Sequence, residues 1–174
     1  MTRWKSLWVV AALLAVVGDV ARAQEQQALV MTAENLMAGD ERHQALAERG
    51  GDSNALLPGD VVRYRLLFTN ITDVPVRNVV FDNPLPDGLA YVASSAGADV
   101  AEVVVEYSID GGATYSAQPM IEQMVDGEPA MVPAPPEQYT HVRWTVPNWI
   151  EPGAQVTAEF RARLSDSDEQ PGEA

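Results

Sequence analysis

No cysteine occurs anywhere in this chain, and no lysine occurs after residue 23. Without cysteine there are no disulfides, thiolate metal sites, iron–sulfur clusters, cysteine nucleophiles or bacterial lipoprotein anchor. Positive charge is scarce, with 11 Lys and Arg against 25 Asp and Glu and a formal charge of −14 at pH 7. A phosphate backbone would repel such a surface, which excludes a non-specific nucleic-acid binder. Histidine is limited to His43 and His141, and neither has a His, Cys or Asp beside it at metal-ligand spacing. There is no glycine-rich phosphate loop, and nothing resembles a nucleophile elbow. The reading is therefore of a protein that is not an enzyme, with no catalytic residue, cofactor or metal site assigned.

What is present is enough apolar material for a core. Apolar residues make up 47% of the 174, which excludes wholesale disorder and allows one domain with a tail. Residues 1–23 read as a signal peptide. Arg3 and Lys5 supply the positive region, Leu7–Val17 an apolar run of 11, and Ala21-Arg22-Ala23 the small residues a signal peptidase recognises. That run is too short for a permanent membrane span, so none is expected after cleavage. The mature chain would begin at Gln24, with 24 acids against 8 bases and a net charge of −16. Residues 166–174 (DSDEQPGEA) read as an acidic disordered tail.

Between these ends the chain alternates. Val62, Tyr64, Leu66 and Phe68 share one strand face. Val79 and Phe81, then Val103, Val105, Tyr107 and Ile109, then Val142, Trp144 and Val146 repeat the pattern. Val156, Ala158, Phe160, Ala162 and Leu164 give the cleanest strand of all. One apolar and one polar face per strand marks antiparallel sheets with a wet outer side, and this many strands predict a two-sheet sandwich. Tyr64, Trp144 and Phe160 are expected core residues. Leu29–Thr32 is a weak first strand. Residues 39–51 interrupt the pattern as an insertion, with a short helix capped by Asp40 and ended by Gly50. Pro58-Gly59-Asp60 is a turn signal. Glu128–Pro136 is proline-rich and predicts an extended connection outside any ladder.

The stretch LPGDVVRYRLLFTNITDVPVRNVVFDNPLPDGLAYV (Leu57–Val92) resembles the opening of an immunoglobulin-like repeat of unknown function common in exported and cell-surface proteins of bacteria and archaea. The shared pattern is a Pro-Gly-Asp turn, a strand ending in Thr-Asn, a second ending in Asp, and a Leu-Pro-x-Gly-Leu turn. WTVPNWIEPGAQVTAEFRARL (Trp144–Leu164) resembles the same family's closing strands. The resemblance implies an all-β, Ig-like antiparallel sandwich of about seven strands over residues 24–165. It implies a secreted, periplasmic or cell-surface location, and partners among other envelope or surface proteins or a second copy of the chain. This chain departs from the family in its 39–51 insertion and in being a single copy.

Ser108-Ile109-Asp110-Gly111-Gly112-Ala113-Thr114-Tyr115 fits the Asp-box pattern known from sialidase-type propellers. A single copy reads as a structural turn, with Ser108, Asp110, Gly112, Thr114 and Tyr115 holding a hairpin. Asn70-Ile71-Thr72 matches a glycosylation acceptor. Tyr91, Tyr139 and Trp149 lie near strand ends, where exposed rings stack on sugars. Function is thus expected as a structural or interaction module. The alternatives are a small carbohydrate- or calcium-binding module, or a subunit that self-assembles through its N-terminal strand.

Overall fold

The computed structural model describes residues 28–165; the signal peptide and the tail expected from sequence lie outside them. The protein is an all-β antiparallel sandwich with one short helix, as the alternation predicts. Its elements in chain order are β1 (Leu29–Asn35), α1 (Glu41–Glu48), β2 (Val61–Thr69), β3 (Val79–Pro84), β4 (Leu89–Tyr91), β5 (Gly97–Ala98), β6 (Val104–Ser108), β7 (Met120–Val125), β8 (Glu128–Pro133), β9 (His141–Val146) and β10 (Gln155–Leu164).

One sheet runs β1-β2-β10-β4, with β5 also paired to β10; the other runs β3-β9-β6. Their apolar faces meet in a single core. Val62, Tyr64 and Leu66 from β2 and Val156, Ala158, Phe160 and Ala162 from β10 pack against Phe81, Val142, Trp144 and Val146. Tyr64 stacks on Phe160 at 4.9 Å between ring centroids, and Trp144 leans on Phe160 at 5.8 Å across the sandwich. The three aromatics expected inside are all there. Alternation determines this arrangement, because only one parity of each strand can face the opposite sheet.

Three strand readings need correction. Val76–Asp82 reads from the sequence as one strand, but the ladder starts at Val79, and Val76 makes only an isolated bridge to Ile150. β1 extends to Asn35, three residues beyond the expected end, because all seven residues find partners on β2. Glu128–Pro133 is a ladder strand after all, paired with β7 over its whole length. The N–H of Ala134 bonds the carbonyl of Pro119, so even-numbered residues of β8 point at β7 and the odd ones point away. Pro129 and Pro133 therefore lack their N–H only on the solvent edge, where no donor is needed. Asp126-Gly127 turns this hairpin with φ of 54° and 88°, the Asp-Gly signature of a type I′ turn.

Among the described residues no helix is long and apolar enough to cross a membrane.

Candidate functional site

The insertion is where titratable groups converge. Asp40 caps α1, its carboxylate accepting the backbone N–H groups of Arg42 and His43. One turn on, His43 is buried, with Nδ1 2.8 Å from Asp40 Oδ1 and Nε2 2.9 Å from Asp60 Oδ2. Asp60, also fully buried, comes from the Pro58-Gly59-Asp60 turn that precedes β2. It accepts from Asn35 Nδ2 at 2.7 Å, from the Leu57 N–H at 3.1 Å and from the Arg42 guanidinium, which also donates to the Pro58 carbonyl. Gly59 serves the turn with a φ of +83°, and the Asp60 N–H closes it on the Leu57 carbonyl.

The charges in this cluster answer one another. Hydrogen bonding to the Asp40 carboxylate raises the His43 pKa, burial opposes this, and the Asp60 charge adds to the rise. The His43 ring in turn holds Asp40 far below the usual carboxylate range. Burial alone would raise Asp60, but the Leu57 N–H, Asn35 and Arg42 outweigh it and lower its pKa. Each His43 nitrogen thus lies within hydrogen-bond distance of a carboxylate, an arrangement that favours the charged ring. Asp40, His43 and Asp60 do offer three ligand-type atoms within 4.8 Å of one another. Both imidazole nitrogens already face carboxylates, however, and Arg42 neutralises Asp60. The cluster works as an ion-pair latch holding the insertion to the sandwich. The sequence reading that His43 has no His, Cys or Asp beside it at metal-ligand spacing is therefore corrected. Asp40 stands three residues before it, one helical turn away, and Asp60 arrives only through the fold.

Residues Ser108–Tyr115 form a turn closed by side-chain hydrogen bonds. Asp110 accepts from Ser108 Oγ at 2.7 Å, from the Thr114 N–H at 2.9 Å and from Thr114 Oγ1 at 2.6 Å. The Thr114 and Ser108 hydroxyls lead in holding its carboxyl well below the usual range. The buried Ser108 hydroxyl accepts the Gly112 N–H at 2.9 Å. Gly112 has a φ of +87°, and a Cβ there would come within 3.0 Å of the Tyr115 hydroxyl. Tyr115 lies across the outer face of the second sheet. Arg143 stands 3.7 Å from its ring centroid, and its hydroxyl donates to the Asp82 carboxylate at 2.7 and 2.8 Å. Burial and then Asp82 push its pKa up to about 12. The Ser108, Asp110 and Thr114 side chains are thus engaged within the turn, while the Tyr115 hydroxyl ties it to β3.

The three candidate ligand aromatics separate. Tyr91 is only 4% exposed, which corrects its reading as a surface ring. It lies on the inward parity of β4, where it packs with Tyr107 and Tyr139, and its hydroxyl accepts the Ala96 N–H. Tyr139 is half-buried, stacked on Tyr107 at 4.6 Å. Trp149 stays at the surface, with Arg77 4.9 Å over its ring. Asn70 is not a glycosylation site in the folded protein: it is 1% exposed and its amide donates to the carbonyls of Val74 and Ile150.

The larger open surface is apolar and lies on strands. In β1, Leu29, Val30 and Met31 are exposed; in the β7–β8 hairpin, Met120, Met124, Val125 and Met131 are exposed. On one hairpin face Met120 pairs with Pro133 and Met124 with Pro129, with Met131 opposite Glu122 between them. Residues 120–133 show no period-two alternation and carry two strand prolines, so the Asp-Gly turn is the one local signal of this hairpin. No protein-family model matches the chain, and no curated protein matches it.

Proposed function

We propose that this chain is an exported, non-enzymatic module of the cell envelope or extracellular space that acts through its surface. It is read as a single copy of the immunoglobulin-like repeat it resembles. The observation that carries this reading is the β7–β8 hairpin. A two-stranded hairpin standing alone is at best marginally stable in water, yet this one leaves a face of Met120, Met124, Met131, Pro129 and Pro133 uncovered. Methionine side chains adapt to varied apolar partners, which suits a contact surface. The latch and the Asp-box, by contrast, have their polar groups satisfied internally.

The test screens the mature chain, residues 24–174, against a glycan array, calcium and common hydrolase substrates. Interaction-module behaviour gives no turnover and no binding in any of these. Glycan binding lost in Trp149→Ala would instead favour the carbohydrate alternative, for which Trp149 is the exposed ring. Turnover of any substrate would overturn the non-enzymatic reading.

A further inference from the structure

The free strand edges of this protein are not alike. β4 and β5 are only three and two residues long. β3 carries Asp82 and ends in Pro84, and β8 carries Pro129 and Pro133. β7 has Glu122, and Tyr107 on β6 is bridged to Ser116. Short length, charge, proline and cover are the devices that keep a sheet edge from pairing with another chain. Among the described residues β1 has none of them from Leu29 to Ala33: five residues with no charge, no proline and no strand paired on the side away from β2.

Its hydrogen-bond parity is fixed by both ends. The Thr69 N–H bonds the Ala28 carbonyl and the Leu36 N–H bonds the Val61 carbonyl, each at 2.8 Å. Even-numbered residues therefore face β2, and Leu29, Met31 and Ala33 turn their N–H and C=O groups outward. The same three side chains lie on the core side of the sheet, beside Phe68, Leu66 and Tyr64 of β2. β3 lies over β2, with Phe81 against Phe68. β1 overhangs that contact, and Leu29 and Met31 are left 47% and 56% exposed.

We propose that β1 pairs with β1 of a second copy, antiparallel and centred on Met31. The occupant follows from self-complementarity. In that register Leu29 faces Ala33 of the other copy, Met31 faces Met31 and Ala33 faces Leu29. Each outward N–H then meets an outward C=O, and no like charges oppose one another. That last point matters on a chain that carries −14. The contact joins two five-stranded sheets into one and sets the exposed Leu29 and Met31 side chains of both copies side by side. It is a small interface, so association is expected to be weak and reversible. This proposal names the partner for the surface-acting reading above and rests on it.

Sedimentation velocity of residues 24–174 over a concentration series tests it. The wild type is expected to shift from monomer to dimer, with no larger species. Met31→Glu sets two carboxylates opposite each other at the axis and is expected to weaken the dimer about tenfold or more. Val80→Glu, on an exposed side chain of β3, is expected to leave it unchanged, and circular dichroism checks that both variants fold. Cross-linking gives a second readout. The hydrogen-bonded pair at the axis has Cα atoms about 5.5 Å apart, inside disulfide range. The chain has no other cysteine. Met31→Cys is therefore expected to oxidise to a covalent dimer at least about tenfold faster than Ala33→Cys, whose symmetry mate lies about 13 Å along the strand. A monomer at every concentration, a dimer indifferent to Met31→Glu, or equal oxidation at 31 and 33 would each overturn the β1 pairing. Those outcomes leave the surface-module reading standing, since its failure appears as glycan binding, calcium binding or turnover.

Discussion

His43 carries a protonation state that its surroundings chose. Asp40 and Arg42 on its own helix, Asn35 on β1 and Asp60 in the turn are the polar and charged groups around it. Its folded pKa lies above the ordinary value of about 6.5. The stabilisation is thus fully present below that value and is lost as pH rises through the folded pKa. Asp40 and Asp60 have lowered values, so their contribution is present above the ordinary carboxylate range and is lost as pH falls through the folded values. The protection of the α1 amides, their exchange rate relative to that of an unstructured peptide at the same pH, is expected to be greatest between those limits and to fall on the alkaline side, and His43→Gln should abolish the alkaline step. Asn70 makes a second case. Replacing it by Ala removes its two amide bonds to the Val74 and Ile150 carbonyls and takes the acceptor from the Thr72 N–H, and denaturant unfolding should show a loss of about 1–3 kcal/mol.

Among the elements, β10 is the one the sandwich cannot lose, since it pairs with β2, β4 and β5 and buries four side chains in the core. Phe160→Ala removes a ring packed between Tyr64 and Trp144 and should cost about 3–5 kcal/mol by equilibrium unfolding. The Asp-box element makes an opposite demand on interpretation, because its acid is named from an enzyme family. Asp110→Ala should lower the melting temperature while leaving self-association of the folded protein unchanged. A variant that melts normally but no longer associates would show Asp110 to be a contact residue. α1 is short and gains little from intrinsic propensity. It persists here because Asp40 caps it and the His43–Asp60 bond ties it to the turn before β2.

Over the whole molecule the charge is lopsided, at −14 for the chain, and the protein repels itself at low ionic strength. Raising salt screens that repulsion over a Debye length of about 10 Å at 0.1 M, so thermal stability is expected to increase from low to moderate salt. Melting curves at two ionic strengths check the sign. Export is expected to remove residues 1–23, and intact mass of the protein recovered outside the cytoplasm should correspond to a chain beginning at Gln24.

The sequence by itself determined the fold class, most strand positions and the capped helix. These rest on period-two alternation and on local side-chain-to-backbone bonds, which neighbouring residues specify between themselves. Val62 to Phe68 and Val156 to Leu164 could be read directly, because one face of each strand must be apolar to meet a second sheet. Only the tertiary structure decided what long-range pairing controls. It decided that Asp60 reaches His43 across 17 residues of chain, that Tyr91 points inward, and that Asn70 is sealed beneath a loop. Proline content concealed β8, since the cost of a missing N–H depends on which side of the strand has a neighbour. β1 shows the limit most plainly. Its apolar residues announce a strand, but whether a strand is covered or left open depends on how far the opposite sheet extends, and no local pattern encodes that distance.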